Sequence, residues 1–222
     1  MKKSTASTQI TSTLPRIVLV DANIFFAPRL RDLFMHFHEE ELINVHWTKE
    51  IEGEWTRNVI AKQDADPAAI KKCLEGMRAA APGWEVNGYR KFIGRFPDVD
   101  EKDRHVAAAA YKLSRDEWPG QPVALVTKNV KDFPNKAFQE TEISRYPMAS
   151  FLNELYQENS SAVLKVAEIC RKKLKSPKLT KEQYIAVLVK NGCIEFAKKI
   201  ADEWKVECPA IDKNGNLFYE DD

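Results

Sequence analysis

No Cys-x-x-Cys pair occurs in this sequence. Its 4 cysteines, Cys73, Cys170, Cys193 and Cys208, are scattered, so neither a zinc knuckle nor a dithiol redox motif is written in them, and buried free thiols are the default expectation. A membrane-spanning run is missing too. Ile17 to Val20 is apolar but far too short, and the amino end (Met1 to Leu14) follows Lys2 and Lys3 with Ser and Thr instead of an apolar signal core. Together these absences predict a cytoplasmic protein with no membrane partner. An excess of one charge sign is lacking as well: 34 Lys and Arg stand against 33 Asp and Glu, a net +1, so bulk charge does not announce a nucleic-acid binder. Neither an internal repeat nor an RNA-recognition sequence motif is present. With only 8 Gly and 11 Pro in 222 residues and 44% hydrophobic residues, collagenous, low-complexity and disordered classes are excluded. What remains is one full domain plus some extra, or two small ones.

The clearest strand is Arg16 to Asn23, RIVLVDAN, a β-branched apolar run that ends abruptly in polar residues, the pattern of a buried strand whose carboxyl end meets solvent. Leu30, Leu33, Phe34 and Phe37 then recur at helical spacing after Pro28, predicting an amphipathic helix over 29–41. A second strand is expected over 42–47, followed by a helix capped by Thr48 and running through Ile51, Trp55 and Val59 towards Lys62. Pro67 opens another helix, which Pro82-Gly83 breaks. Residues 84–97 are weakly patterned and 98–103 form an acidic loop. The Ala-rich stretch 103–115 reads as a helix, 123–127 as a strand, 142–146 as an edge strand, and Pro147 starts a helix through Phe151, Leu152 and Leu155. This alternation implies an α/β fold with a parallel sheet.

Beyond about residue 160 the reading changes to helices only, over 163–174, 181–189 and 194–204, with no strand. Ten Lys or Arg stand against five acids in 151–200, and two against seven in 201–222. The expected organisation is a poorly ordered amino end over 1–15, an α/β domain over 16–157, a helical extension over 158–206 and an acidic tail over 207–222.

Ligands of open parallel sheets bind beyond the carboxyl ends of the strands, near the switch in strand order, and Asp21 lies at that end of the first strand. Alone it would be read as a turn-former or cap. Three more carboxylates sit at matching places: Glu54 in the helix after the second strand, Asp103 at the start of the Ala-rich helix, and Asp132 after the strand ending at Thr127. Like charges gathered there must be neutralised by protonation, by basic side chains or by a bound cation. An all-oxygen donor set without a His or Cys cluster suits Mg²⁺ or Mn²⁺.

The segments VDAN (20–23), WTKEIEGEW (47–55), PDVDEKDRHVAAAA (97–110) and VTKNVKDFP (126–134), taken in order over roughly 16–152, resemble the PIN domain, specifically the VapC-type toxin ribonucleases of bacterial toxin-antitoxin modules. The resemblance implies a Rossmann-like three-layer α/β/α sandwich with a central parallel sheet, followed here by a C-terminal helical extension. It implies acids that bind Mg²⁺ or Mn²⁺ to hydrolyse RNA phosphodiesters, leaving 5′-phosphate and 3′-hydroxyl ends. It also implies a cognate antitoxin and usually a homodimer. Asp21, Glu54 and Asp103 match the family's acids. At the fourth position the family often shows Thr-x-Asp, whereas Thr127-Lys128-Asn129 places an amide there and Asp132 follows three residues later, so Asn129 and Asp132 are both candidates. In this reading one or two ions held by Asp21, Glu54, Asp103 and Asp132 activate water for in-line attack on phosphorus.

Other residues carry two readings each. Glu50 shares a helix face with Glu54, so either could be the ligand, the motif favouring Glu54, while Glu52 is expected to be solvated. Asp100 is a cap or dipole partner sooner than an extra ligand. Asn23 either steadies Asp21 or a metal-bound water, or is an ordinary turn residue; Thr127 is a candidate supporting hydroxyl. His105 is expected to pack or cap, not to act as a base, and His36, His38 and His46 receive no role. Arg29 and Arg31, and the cluster Arg171, Lys172 and Lys173, either meet RNA phosphate or form solvated faces. Two other functions compete: a PIN-fold module that binds RNA or protein without cutting, and a haloacid-dehalogenase-type phosphohydrolase. The latter needs a second Asp where this chain has Asn23.

Overall fold

Four apolar residues, Ile17–Val20 (β1), are enclosed on both faces, as the central strand of a parallel sheet requires. The computed structural model describes residues 16–63, 65–174 and 177–219; the amino end over 1–15 lies outside the described residues. After β1 come a single turn, Ala22–Phe25 (α1), and Pro28–Glu39 (α2), which Pro28 opens at its first turn and whose Leu30, Leu33, Phe34 and Phe37 are all buried. Asn44–His46 (β2) is followed by Lys49–Gln63 (α3) and Pro67–Ala80 (α4). Thr48 Oγ1 accepts the Ile51 N–H at 3.1 Å and Asp66 accepts from Ala68 and Ala69, so both helices begin on side-chain caps. Arg104–Lys112 (α5), Val123–Thr127 (β3) and Ile143–Pro147 (β4) complete this part.

The sheet order is β2-β1-β3-β4, all parallel. The chain first moves outward from β1 to β2, then returns to β3 on the other side, so strand order switches between β1 and β3. Because crossovers between parallel strands follow one hand as a rule, connections leaving β1 in opposite directions put helices on both faces. Phe34 of α2 stacks on Phe151 at 6.1 Å on one face. On the other, the small side chains of Ala107–Ala110 let α5 lie closely on β1 and β3. The result is a Rossmann-like α/β/α sandwich.

The helices Met148–Glu158 (α6), Ser160–Lys173 (α7), Lys181–Lys190 (α8) and Ile194–Trp204 (α9) follow. α7 packs on α2 and α9 on α6, with Tyr156 edge-on to Phe196 at 6.4 Å, so the C-terminal helices share the sandwich's core. The expectation of no strand here is corrected: Ala210–Ile211 (β5) and Leu217–Phe218 (β6) form an antiparallel pair. Two-residue strands are too short to show alternation. The legible signal was Asn214-Gly215, where Gly215 takes φ +85° and Asp212 Oδ1 accepts the Asn214 and Asn216 N–H groups, both at 2.8 Å.

The weakly patterned stretch 84–97 is also structured. Trp84 stacks on Trp47 at 4.7 Å, and a 3₁₀ segment, Tyr89–Arg95, sets Phe92 against Tyr111. Of the four free cysteines, Cys170 and Cys193 are buried while Cys73 and Cys208 are half-buried. Among the described residues no helix is long and apolar enough to cross a membrane.

Candidate functional site

The end of β1 and the end of β3 are joined by side chains as well as backbone. The Asp21 N–H donates to Val126 O at 3.1 Å, and Thr127 Oγ1 donates to Asp21 Oδ2 at 2.6 Å. Asn23 Nδ2 also reaches Asp21 Oδ2 and lies 3.0 Å from Thr127 Oγ1, while Asn23 Oδ1 accepts the Lys128 N–H at 3.1 Å. The Thr127 hydroxyl in turn accepts the Asn129 N–H at 2.9 Å. This network holds the crevice at the switch point, where burial pushes the Asp21 carboxyl up; the Thr127 hydrogen bond opposes that shift and the charge of Glu54 adds to it.

Asp21, Glu54 and Asp103 line one cavity of about 470 Å³, together with Asn23 and Asn129. Asp103 closes a short 3₁₀ turn, Glu101–Asp103, and occupies the N-cap position of α5 without capping it. Its carboxyl is pushed up to about 7, first by burial, then by the charge of Asp21, and then by Asp132 through hydrogen bonding and charge. Asp132 itself is not among the cavity-lining residues. It accepts a hydrogen bond from Asn129 Nδ2, and its backbone carbonyl accepts the Asp100 N–H at 3.1 Å, so it stands behind both Asn129 and Asp103. Asp100 caps the turn by accepting the Lys102 N–H at 3.2 Å.

Some neighbours were not singled out from the sequence. Asn58 and Lys62 line the same cavity from α3, and Lys102 does so beside Asp103. The spacing 54, 58, 62 is one helical face, a signal that was available. His105 is buried, with Nε2 2.9 Å from Glu54 Oε1 but off the direction of a hydrogen bond. Burial alone would lower its pKa; Glu54, then Glu50 and Asp103, outweigh that and raise it. Glu50 faces away from the cavity, accepting from Tyr89 at 2.8 Å and pairing with Arg90.

Glu52 departs from expectation. It is buried, accepts Trp47 Nε1–H at 2.9 Å and is gripped by two nitrogens of Arg78; its partner lies 26 residues on, beyond the reach of local pattern. Arg31 is likewise enclosed, donating to Phe25 O at 2.9 Å with its guanidinium over the Trp55 ring. Arg29 pairs with Asp32 at 3.3 Å. Arg171 and Lys172 pair with Glu168, and Lys173 with Glu39; these three do not line the acidic cavity.

As the side chains stand, no three His, Cys, Asp or Glu among the described residues form a group that could hold a metal ion. The chemistry of the donors nevertheless fits a hard cation. Carboxylates face carboxylates, and Asp103 relieves the repulsion by holding a proton up to about 7, a role that a divalent ion fills equally well.

Fold and site together define an α/β protein with an acidic cavity at the switch point of a parallel sheet. Residues 150–202 match the family model of the VapC50 C-terminal domain, so this part of the chain, from α6 into α9, is similar to that domain. No curated protein and no solved structure matches the chain.

Proposed function

We propose that this chain is a metal-dependent endoribonuclease with a PIN-like fold, the cytoplasmic toxin of a toxin-antitoxin module, restrained by a cognate antitoxin and acting as a homodimer. One observation carries the reading: three acids brought from β1, α3 and the start of α5 line a single cavity at the carboxyl ends of β1 and β3. The similarity of 150–202 to the VapC50 C-terminal domain supports the toxin assignment.

Asp21, Glu54 and Asp103 are the residues that would hold Mg²⁺ or Mn²⁺, with Asn129 beside them and Asp132 orienting Asn129. When bound, such an ion supplies Lewis-acid polarisation of the phosphate and activation of water. The protein's own groups do the rest. Thr127 and Asn23 fix the Asp21 carboxylate, His105 steadies Glu54, and Lys62 and Lys102 offer positive charge at the cavity to an RNA phosphate.

A second reading, a PIN-like module that binds RNA or protein without cutting, is favoured by one observation. Asp21 and Glu54 are already engaged by neighbours, and no three-residue ligand group stands ready among the described residues. Cleavage of a mixed RNA pool with Mg²⁺, Mn²⁺ or chelator separates the two. The nuclease reading expects metal-dependent cutting that leaves 5′-phosphate and 3′-hydroxyl ends and disappears in Asp21→Asn and Asp103→Asn. RNA binding without cutting, or cutting in chelator to 2′,3′-cyclic phosphate, rejects it.

A further inference from the structure

A second cavity, of about 490 Å³, adjoins the acidic one, within the size range of small-molecule sites of about 300–1,000 Å³. Phe26 is common to both. Chain neighbours carry the connection further: Lys62 lines the first cavity and Gln63 the second, and likewise Asn129 the first and Lys128 the second. The walls of the second cavity differ in kind. Phe26 and Pro28 form one side, and Leu179 and Val187, from the part of the chain similar to the VapC50 C-terminal domain, form the other.

Its polar groups come in two sorts. Gln63 and Asn191 supply amides. The Asn191 amide is held in place, donating to Val187 O at 2.9 Å and accepting from Lys128 Nζ at 3.4 Å, while Gln63 is exposed. Arg29 and Lys128 supply positive charge, and no acidic residue is among those lining the cavity. Apolar walls with an aromatic side chain, amides able to donate and accept, and two cations in a lining free of acids, Arg29 paired with Asp32 outside it and Lys128 with Asn191, are features that suit an unstacked base on a polyanionic strand.

We infer that this cavity receives a nucleobase of an RNA strand whose neighbouring phosphate lies in the acidic cavity, so that α8 and the loop before it form one wall of a base-reading subsite. The inference deepens the nuclease reading and rests on it. It gives the C-terminal helices a defined role, that of setting which base flanks the cut.

The test uses the full chain and two readouts. In the first, the full-length Asp103→Asn protein, chosen to bind without cutting, is photo-crosslinked to RNA carrying a single 4-thiouridine at successive positions. Cross-links at one position are expected to map to Phe26, Leu179 or Val187. In the second, the cleavage sites of the unsubstituted protein are compared with those of Leu179→Trp and Val187→Trp, which fill the cavity from a loop and from a helix. An abasic nucleotide at the cross-linked position is expected to slow cutting by the unsubstituted protein about tenfold, in the range set by base stacking. The filled variants are expected to lose that base preference and to be insensitive to the abasic change. Because the abasic measurement needs no variant, a misfolded Trp protein does not remove the test. Metal-dependent cutting with unchanged preference, and cross-links elsewhere, overturns the subsite while leaving the nuclease reading intact, and leaves the cavity to a protein side chain. A chain that neither binds nor cuts RNA overturns both.

Discussion

Two of the three acids on helix α3, Glu52 and Glu54, end in opposite circumstances. Glu52 is buried against Trp47 and held by Arg78, which in turn lies over the Trp84 ring. Glu54 has His105 at 2.9 Å and opens onto a cavity that Asp21 and Asp103 also line, with Lys62 and Lys102 beside them. Both acids project from the same helix, but their partners separate them: Glu52 is gripped at both oxygens by one guanidinium, whereas Asp21, Glu54 and Asp103 share a single cavity. Burying a charge is costly unless it is paired, so the cavity acids are offset in part by His105, Lys62 and Lys102 and otherwise by protons or a cation from outside.

The largest way to break this contrast is to remove the cation from the first region. Arg78→Ala leaves Glu52 buried without its partner and is expected to cost about 3 kcal/mol of stability, the low end for a broken buried pair because the Arg78 side chain is 41% exposed. Urea unfolding measures it, and a loss below about 0.5 kcal/mol would place the pair with ordinary surface ion pairs.

The cavity should respond with the opposite sign. An acid whose folded pKa is raised binds its proton more tightly in the folded chain. In metal-free solution, therefore, Asp103 lowers stability progressively as pH rises from about 4 to about 7. Asp103→Asn removes that loss and is expected to stabilise the chelated protein above pH 7 by about 2 kcal/mol, taken at half the full linkage value because the group is only partly buried and is coupled to its neighbours. Below pH 4 the two proteins should melt alike. A variant that is less stable at pH 8 would mean that Asp103 is structurally required.

A smaller effect sharpens the boundary between the regions. Thr127→Val removes the hydroxyl that donates to Asp21 and accepts from Asn129, at an expected cost of about 1 kcal/mol. It also raises the Asp21 pKa further, since that hydrogen bond holds it down. Carbon-13 titration of the Asp21 carboxyl checks the direction.

The scaffold of this contrast was largely legible in the sequence, because β1, β3, α2 and α3 carry strong local patterns: a continuous apolar run for a doubly covered strand, and 3.6-residue periodicity for an amphipathic helix. The position of Asp21 at a strand end pointed to the crevice for the same reason. What local pattern hid was partnership across the chain. Glu52 reads as one of a run of acids until Arg78 is seen beside it, and His105 reads as a packing residue until Glu54 is brought to 2.9 Å. The stretch over 84–97 hid its order in 3₁₀ geometry, whose three-residue turn leaves no 3.6-residue trace, and β5 and β6 hid theirs in brevity. At the fourth acid position the question was one of loop geometry. Asn129 lines the cavity while Asp132 stands behind it, an arrangement that a three-residue spacing does not determine.

The most direct measurement is calorimetric titration of Mn²⁺ into the chelator-stripped full chain, beside Asp21→Asn and Asp103→Asn. If the crowded acids await a cation, the unsubstituted protein binds with saturation, its melting temperature rises with Mn²⁺, and both responses vanish in the two variants. Equal heats and equal melting curves in all three proteins would contradict the account.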